Sequence, residues 1–245
     1  MSTSSAGPAS AGAAESVPTV LIPGLLCTPR LYAEQLPALW RFGQVTVADH
    51  TRDDSVAGIA RRLLAAAPPR FALVGLSMGG YTAFEVMRVA PDRVARLALL
   101  DTAARADTPE QSERRRGLMA LARDGRFAEV FEPLFLSWVH RAHRTDAMLR
   151  RIVWGMAEDT GPDAFLREQT AIMTRPDSRP GLAAIRCPTL VLVGDGDEST
   201  PPDRAAEIAD GIPGARLVSV PDSGHLSTLE QPALVTRALV EWLGS

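Results

Sequence analysis

The chain has 245 residues, of which 46% are hydrophobic and 22% charged, as in an ordinary globular protein with one large domain or one domain that carries an insertion. Its net charge of −3 gives no indication of binding to nucleic acid or to an anionic membrane surface. The two cysteines are too few for a disulfide framework, and no apolar run is long enough to span a membrane.

The first 17 residues are mostly Ser, Ala, Gly and Pro, with one acidic residue, Glu15. This composition predicts a disordered tail, because it offers little apolar surface to bury. The stretch has neither the basic start nor the apolar core of a secretory signal, so by default we expect a cytoplasmic location.

Short apolar runs alternate with amphipathic segments up to about residue 103. The apolar runs predict strands at residues 19–24, 44–49, 71–76 and 94–101. The segments between them predict helices over residues 31–42, 54–67 and 81–88. Alternating strands and helices are typical of a parallel sheet with helices on both faces.

From about residue 103 to residue 184 the sequence predicts helices alone. The first begins at a capping box, Thr108 to Gln111, and others are predicted over 127–139, 146–157 and 162–173. Strands at 188–194 and 215–220 then alternate with helices at 202–212 and 232–243. We therefore predict an α/β core, residues 18–103 and 184–245, with a helical cap, residues 104–183, inserted at the sheet edge where ligands bind.

Ser77 lies in the stretch with the clearest chemical signal. An apolar run from Phe71 ends in Gly75-Leu-Ser77-Met-Gly79, and a helical segment follows directly. A G-x-S-x-G sequence between a strand and a helix is typical of a nucleophile elbow, in which a tight turn exposes the serine hydroxyl. The flanking residues must be small, because strand and helix nearly touch there. The alternative is an ordinary Gly-rich turn.

A serine hydroxyl needs a base to become a nucleophile at neutral pH. His225 follows the last predicted strand, which places it at the same sheet edge as Ser77. We therefore predict that His225 is the base. The remaining histidines are interpreted as surface or core residues: His50, His140 and His143.

The base in turn needs an acid that orients it. Asp197 and its neighbours Asp195 and Glu198 lie in the turn after the strand at 188–194. Asp101 follows the strand before it and is a rival. Carboxylates in such turns are often only turn formers, so the residues alone leave the choice open.

Three motifs give the chain a resemblance to serine hydrolases of the α/β-hydrolase fold, over nearly everything from residue 19 onward. Residues 75–80 resemble the nucleophile elbow of that family, residues 194–201 its G-x-x-D acid turn, and residues 224–232 its final G-H-x-x-x-x-E-x-P element. The resemblance points to Asp197 rather than Asp195 as the acid. In the last element, Glu230 is interpreted as a helix-start residue.

The chain departs from the family in two places. Pro23-Gly24 stands where the family usually has His-Gly, and the antiparallel strand pair that usually comes first is missing, so a sheet of roughly six strands is expected. The resemblance implies an oxyanion hole made by the backbone N–H groups of Leu25 and Met78, with Leu26 as an alternative to Leu25.

The resemblance implies acyl transfer to water through Ser77, His225 and Asp197, without a metal or another cofactor. A small or medium carboxylic ester is the expected substrate, with a lactone as a close variant. Trp138 and Trp154 of the cap are predicted to contact it, whereas the arginine clusters of the cap are interpreted as solvated helix faces. We expect a monomer or a homodimer without nucleic-acid or membrane partners.

Two other functions fit the same fold. One is a carbon–carbon bond hydrolase or lyase, which the departure at Pro23 keeps open. The other is a non-catalytic ligand-binding protein, which has no physical need for a serine, a histidine and an aspartate together. Activity on a generic activated ester separates the esterase from the binding protein.

Overall fold

A sheet of six parallel strands lies at the centre of residues 16–245, the part of the chain that the computed structural model describes. The strands lie in the order β2-β1-β3-β4-β5-β6, and every neighbouring pair is parallel. This arrangement confirms the predicted α/β fold class. The strands are β1 (Thr19–Ile22), β2 (Val45–Val47), β3 (Phe71–Leu76), β4 (Val94–Leu100), β5 (Thr189–Gly194) and β6 (Arg216–Val220).

Helices cover both faces of the sheet and also form an insertion between β4 and β5. In chain order they are α1 (Leu36–Leu39), α2 (Val56–Ala66), α3 (Met78–Val89), α4 (Pro109–Arg123), α5 (Phe127–Trp138), α6 (Ala147–Met173), α7 (Pro202–Gly211), α8 (Ser227–Glu230) and α9 (Pro232–Gly244). The insertion consists of α4, α5 and α6 and corresponds to the predicted cap, although the bounds given for it stay a prediction. None of these helices is long and apolar enough to cross a membrane.

Two local signals within the cap have the structure that the sequence predicts. Thr108 and Gln111 form a reciprocal capping box at the start of α4, with hydrogen bonds of 3.2 and 2.9 Å. Helix α6 is interrupted at Gly161, whose φ of 75° is not helical, and Pro162 begins its second half. The two helices predicted over residues 146–157 and 162–173 are therefore the two halves of α6.

The prediction of a single helix over residues 31–42 is wrong. The structure has three short helical segments there, at Pro29–Tyr32, Leu36–Leu39 (α1) and Trp40–Phe42. Pro37 explains the interruption, because inside a continuous helix its ring would clash with the carbonyl four residues earlier. At the beginning of α1 the missing N–H of Pro37 costs nothing, since the first N–H groups of a helix have no partner within it.

The tail predicted over residues 1–17 lies mostly outside the described residues. Its last two residues contact the folded part of the chain. Ser16 donates a hydrogen bond to the Phe42 carbonyl at 3.1 Å, and Val17 packs against the core.

The sheet is buried on both faces, which explains the near-continuous apolar runs of its central strands. Every residue of β3 and of β5 is buried. One face packs against α1, α9 and the cap, and the other packs against α2, α3 and α7. Because all strands run the same way, the loops that follow β3, β5 and β6 meet at one edge of the sheet.

The turn between β3 and α3 brings backbone segments into direct contact. A Cβ atom at Gly79 would lie 2.1 Å from the carbonyl oxygen of Ile22, and one at Gly75 would lie 2.4 Å from the carbonyl oxygen of Gly79. These obstacles are backbone atoms of the sheet and of the turn, so they cannot move aside as a flexible side chain can. The structure therefore requires glycine at both positions.

Replacing Gly79 with Ala should lower the free energy of unfolding by at least about 2 kcal/mol, because overpacking of a rigid site costs about 1–3 kcal/mol or more. Gly117→Ala in α4 is the matched control, since a Cβ atom there would meet nothing within 4 Å. That control should be neutral or more stable by up to about 1 kcal/mol, because glycine is a poor helix former. Denaturant unfolding measures both, and equal stabilities would contradict the close approach.

Candidate active site

Ser77 occupies a strained turn at the carboxyl end of β3. Its φ of 54° and ψ of −114° lie outside the regions that residues other than glycine ordinarily adopt. The Ser77 N–H donates to the Leu100 carbonyl at 2.9 Å, and the Ser77 carbonyl accepts from the Thr102 hydroxyl at 2.7 Å. These two bonds tie the strained turn to β4 and to the loop after it.

A continuous chain of hydrogen bonds joins Ser77, His225 and Asp197. The Ser77 Oγ lies 2.8 Å from Nε2 of His225, and Nδ1 of the same ring lies 2.8 Å from Oδ2 of Asp197. The three side chains follow β3, β6 and β5, and all are buried. The fold therefore brings together, at one sheet edge, the three residues that the sequence analysis selected.

The carboxylate of Asp197 is fully supported by its own turn. Its Oδ1 accepts hydrogen bonds from the N–H groups of Ser199 and Thr200 at 2.8 and 2.9 Å, and its Oδ2 accepts from the Thr200 hydroxyl at 2.8 Å. Such bonds satisfy the oxygens of a buried carboxyl group and fix its orientation. Asp195, two residues earlier, is exposed.

Asp101, the rival acid, is buried but has different partners. Its Oδ1 accepts the Gly194 N–H at 3.0 Å, and its Oδ2 is bonded to the Ser227 hydroxyl. Burial and then the charge of Asp197 raise the pKa of Asp101 to about 8, so its carboxyl is mostly protonated at neutral pH. The carboxylate bonded to Nδ1 of His225 is that of Asp197.

The surroundings of His225 favour its protonated form. Burial by itself lowers the pKa of the imidazole, but the charge of Asp197 and the hydrogen bond to it act in the opposite direction. The net effect is a pKa of His225 above the ordinary histidine value. An imidazole with a raised pKa accepts a proton from a hydroxyl more readily.

The two predicted oxyanion-hole residues both adjoin Ser77. Met78 begins α3, so its N–H has no acceptor within the helix, and Leu25 lines the same cavity as Ser77. Within residues 16–245, neither N–H donates a hydrogen bond to a protein atom. The alternative, Leu26, is already engaged, because its N–H donates to Oε2 of Glu168 at 3.0 Å.

A cavity of about 520 Å³ lies over Ser77 and is lined by residues of both the core and the cap. Trp138, at the end of α5, is part of its wall. Trp154 is not among the residues that line it, and its contact with substrate stays a prediction. The Trp154 ring packs edge-on against Phe131 with the ring centroids 4.8 Å apart, because α6 directs this side chain toward α5.

The arginine cluster at the start of the cap only partly fits its interpretation as a solvated face. Arg114 is exposed, but both Arg114 and Arg115 line the cavity. The guanidinium of Arg115 is 2.6 Å from the buried carboxylate of Asp107, which offsets its charge. Two arginine side chains of α4 therefore form part of the cavity wall.

Glu230 binds the loop that carries His225, a role that sequence reasoning missed. Its Oε1 accepts the Gly224 N–H at 2.9 Å, while its Oε2 accepts the His140 N–H at 2.7 Å and lies 3.0 Å from Nδ1 of His143. Glu230 ends α8 rather than starting a helix, and it joins the loop of the core to the segment after α5. The only feature of the sequence that could have indicated this role is the position of Glu230 in the G-H-x-x-x-x-E pattern.

His50, interpreted from sequence as a surface or core residue, is buried and has an acidic partner, Glu168, in the cap. Its Nε2 lies 3.0 Å from Oε1 of Glu168, and both side chains are almost completely buried. Burial lowers the pKa of His50, but the nearby carboxyl group of Glu168 outweighs burial, so the pKa is raised. Nothing in the sequence around either residue indicates this pairing.

The described residues contain no group of three or more His, Cys, Asp or Glu side chains that is arranged to hold a metal ion. Both cysteines are free, Cys27 being buried and Cys187 half-buried. Burial and then the charge of Glu168 raise the pKa of Cys27, which keeps it a thiol at neutral pH. A buried thiol of this kind is a poor nucleophile.

Comparison with known proteins agrees with this geometry. The model of the alpha/beta hydrolase fold family matches residues 42–232. The chain belongs to the α/β-hydrolase fold family. The match includes the turns that carry Ser77, Asp197 and His225.

Individual proteins are similar to this one over most of the chain. The pimeloyl-acyl-carrier-protein methyl ester esterase of Nitrosomonas europaea is 30% identical over 212 residues, which are 81% of this chain and 83% of the relative. A thermophilic esterase from Thermogutta terrifontis has a TM-score of 0.84 at 31% identity and covers 93% of this chain and 89% of its own. The enol-lactonase from Burkholderia xenovorans has a TM-score of 0.84 at 24% identity, and the match covers 94% of this chain and 92% of the lactonase. At this identity the likeness is evidence for the fold only.

If His225 is the base, activity should rise with pH through a midpoint above the ordinary histidine pKa of about 6.5, because only the neutral imidazole can accept a proton. In Asp197→Asn the main cause of the raised pKa is gone while burial remains, so this midpoint should move to lower pH. Activity should also fall by about 10⁴-fold, since the imidazole loses its orienting partner. The measurement is kcat/KM for an activated ester as a function of pH.

Asp101→Asn is the matched control for this substitution. The asparagine amide resembles the protonated carboxyl that prevails at neutral pH, so activity should fall less than about tenfold. A mild effect of Asp197→Asn together with a severe effect of Asp101→Asn would show that the acid has been misassigned.

Proposed function

We propose that the protein is a serine hydrolase that cleaves small or medium carboxylic esters, with lactones as a close variant. The observation that carries this proposal is the chain of 2.8 Å hydrogen bonds from Ser77 through His225 to Asp197, at the wall of a cavity of about 520 Å³. A cavity of this size lies within the range that accommodates a small organic molecule.

In the first half-reaction, the Ser77 Oγ attacks the ester carbonyl carbon while Nε2 of His225 takes the hydroxyl proton. Asp197 holds the ring so that Nδ1 carries the other proton, and its charge stabilises the imidazolium that forms. The N–H groups of Leu25 and Met78 donate to the carbonyl oxygen as it becomes negatively charged, an effect often worth about 3 kcal/mol for each donor. His225 then gives its proton to the departing alcohol, which leaves an ester between the acyl group and Ser77.

The second half-reaction repeats these steps with water. Nε2 of His225 takes a proton from the water molecule as its oxygen attacks the acyl carbon, and the same two N–H groups stabilise the second oxyanion. His225 then returns the proton to the Ser77 Oγ, which releases the carboxylic acid. Nε2 of His225 thus accepts and returns every proton that moves in the cycle.

The choice of an ester is supported by the relatives with the higher identities. Both the Nitrosomonas europaea protein and the Thermogutta terrifontis protein carry the name of an esterase, at 30% and 31% identity. The cavity is lined by apolar residues such as Leu25, Leu134 and Trp138, which suit a short acyl chain or an alcohol group. The lactone remains a variant of the same reaction, because a cyclic ester has the same scissile bond.

The test is hydrolysis of p-nitrophenyl esters of increasing acyl length by the purified protein and by two serine variants. We expect turnover by the wild-type protein and a loss of at least about 10⁴-fold in kcat for Ser77→Ala. Ser219→Ala, an exposed serine on β6, should keep full activity. Turnover that survives in Ser77→Ala would contradict an acyl-enzyme on Ser77, and a folded wild-type protein without turnover would favour a binding protein.

A further inference from the structure

The loop after β1 carries Leu25, one of the two proposed oxyanion donors, and this loop is itself strained. The next residue, Leu26, has a φ of 57°, in the left-handed region that residues other than glycine rarely adopt. The Cys27 N–H donates to the Gly24 carbonyl at 3.1 Å, which closes a tight turn around Leu25 and Leu26. A residue stays in such a conformation only where its surroundings hold it there.

The group that holds Leu26 comes from the cap. Oε2 of Glu168, in the second half of α6, accepts the Leu26 N–H at 3.0 Å across 142 residues of sequence. Both groups are buried, so without this acceptor the Leu26 N–H would have no hydrogen-bond partner in the protein interior.

The oxygens of Glu168 need partners within the protein, since none of its side chain is exposed. His50, in the loop after β2, places its Nε2 3.0 Å from Oε1 of Glu168. One carboxylate thus contacts the loop after β1 with one oxygen and the loop after β2 with the other. Neither Glu168 nor His50 lines the cavity over Ser77.

We propose that Glu168, supported by His50, is a positioning residue that fixes the oxyanion loop, residues 23–27, and thereby aims the Leu25 N–H at the reacting carbonyl oxygen. The cap then contributes to transition-state stabilisation as well as to the cavity wall. The catalytic part of this inference rests on the proposed function. The structural part, that Glu168 holds the loop, does not depend on it.

The test compares Glu168→Met, which removes both the acceptor and the charge, with Glu168→Gln, which keeps an acceptor oxygen. Glu85→Met is the matched control, because Glu85 is also a nearly buried helical glutamate in an ion pair, with Arg88 of the same helix α3. All variants are examined at a temperature at which circular dichroism shows them to be folded.

The first readout is hydrogen–deuterium exchange of the peptide that covers residues 24–27. Glu168→Met should speed exchange of these amides at least tenfold, Glu168→Gln should have a smaller effect, and Glu85→Met should have none. Unchanged exchange in Glu168→Met would overturn the inference. If that variant does not fold, unchanged exchange and unchanged kcat in Glu168→Gln would overturn it equally.

The second readout is steady-state kinetics with an activated ester. Glu168→Met should lower kcat by 10- to 100-fold with KM changed less than about twofold, because the lost interaction acts on the transition state. A fall in activity that only follows the folded fraction would show that Glu168 is merely structural. A wild-type protein that hydrolyses no ester would contradict the proposed function, whereas the exchange measurement would still decide whether Glu168 holds the loop.

Discussion

The contact between Gly79 and the carbonyl of Ile22 is the constraint on which the rest of the site depends. Because α3 begins so close to the end of β1, the turn between β3 and α3 has no room for a side chain, and Ser77 is forced into its strained conformation. The same contact sets the end of β1 beside the start of α3. The loop after β1 is thereby brought next to Ser77, since a Cβ atom at Gly24 would lie 3.3 Å from the Cβ atom of Ser77.

The cap is held to this centre by buried carboxylates rather than by apolar packing alone. Glu230 joins the loop of His225 to the segment after α5, and Glu168 joins the loop of Leu25 to α6. In addition, the His225 N–H donates to the carbonyl of Trp138 at 2.6 Å. Each of these bonds links a loop of the core to a cap element, so a displacement of the cap would disturb the loop of His225 and the loop of Leu25 together.

The sequence predicted those parts of the fold and of the site that depend on local geometry. The G-x-S-x-G turn requires small residues at fixed spacing, and the strand order places the loops of Ser77, Asp197 and His225 at one edge. This is why the fold class and the three polar residues of the site could be read from short motifs. The predicted capping box at Thr108 is local in the same sense.

The features that the sequence did not reveal depend on long-range packing. Glu168 meets Leu26 across 142 residues, and Glu230 meets His140 across 90, so no spacing rule connects them. Whether the Trp154 side chain faces the cavity or α5 depends on how α6 is rotated about its axis. The apolar pattern of α6 does not determine this rotation. The interruption of the helix predicted over residues 31–42 does not depend on long-range packing. Pro37 is a local signal for it, but the prediction followed the helical spacing of the apolar residues instead.

The central claim is that Ser77 is an activated nucleophile, and covalent labelling with a fluorophosphonate followed by mass spectrometry of the modified peptide tests it most directly. The account predicts one adduct, on the peptide that contains Ser77, and its loss in His225→Ala because the hydroxyl then has no base. An adduct on another residue, or no adduct on correctly folded protein, would contradict the claim that this serine, histidine and oxyanion loop form a working catalytic centre.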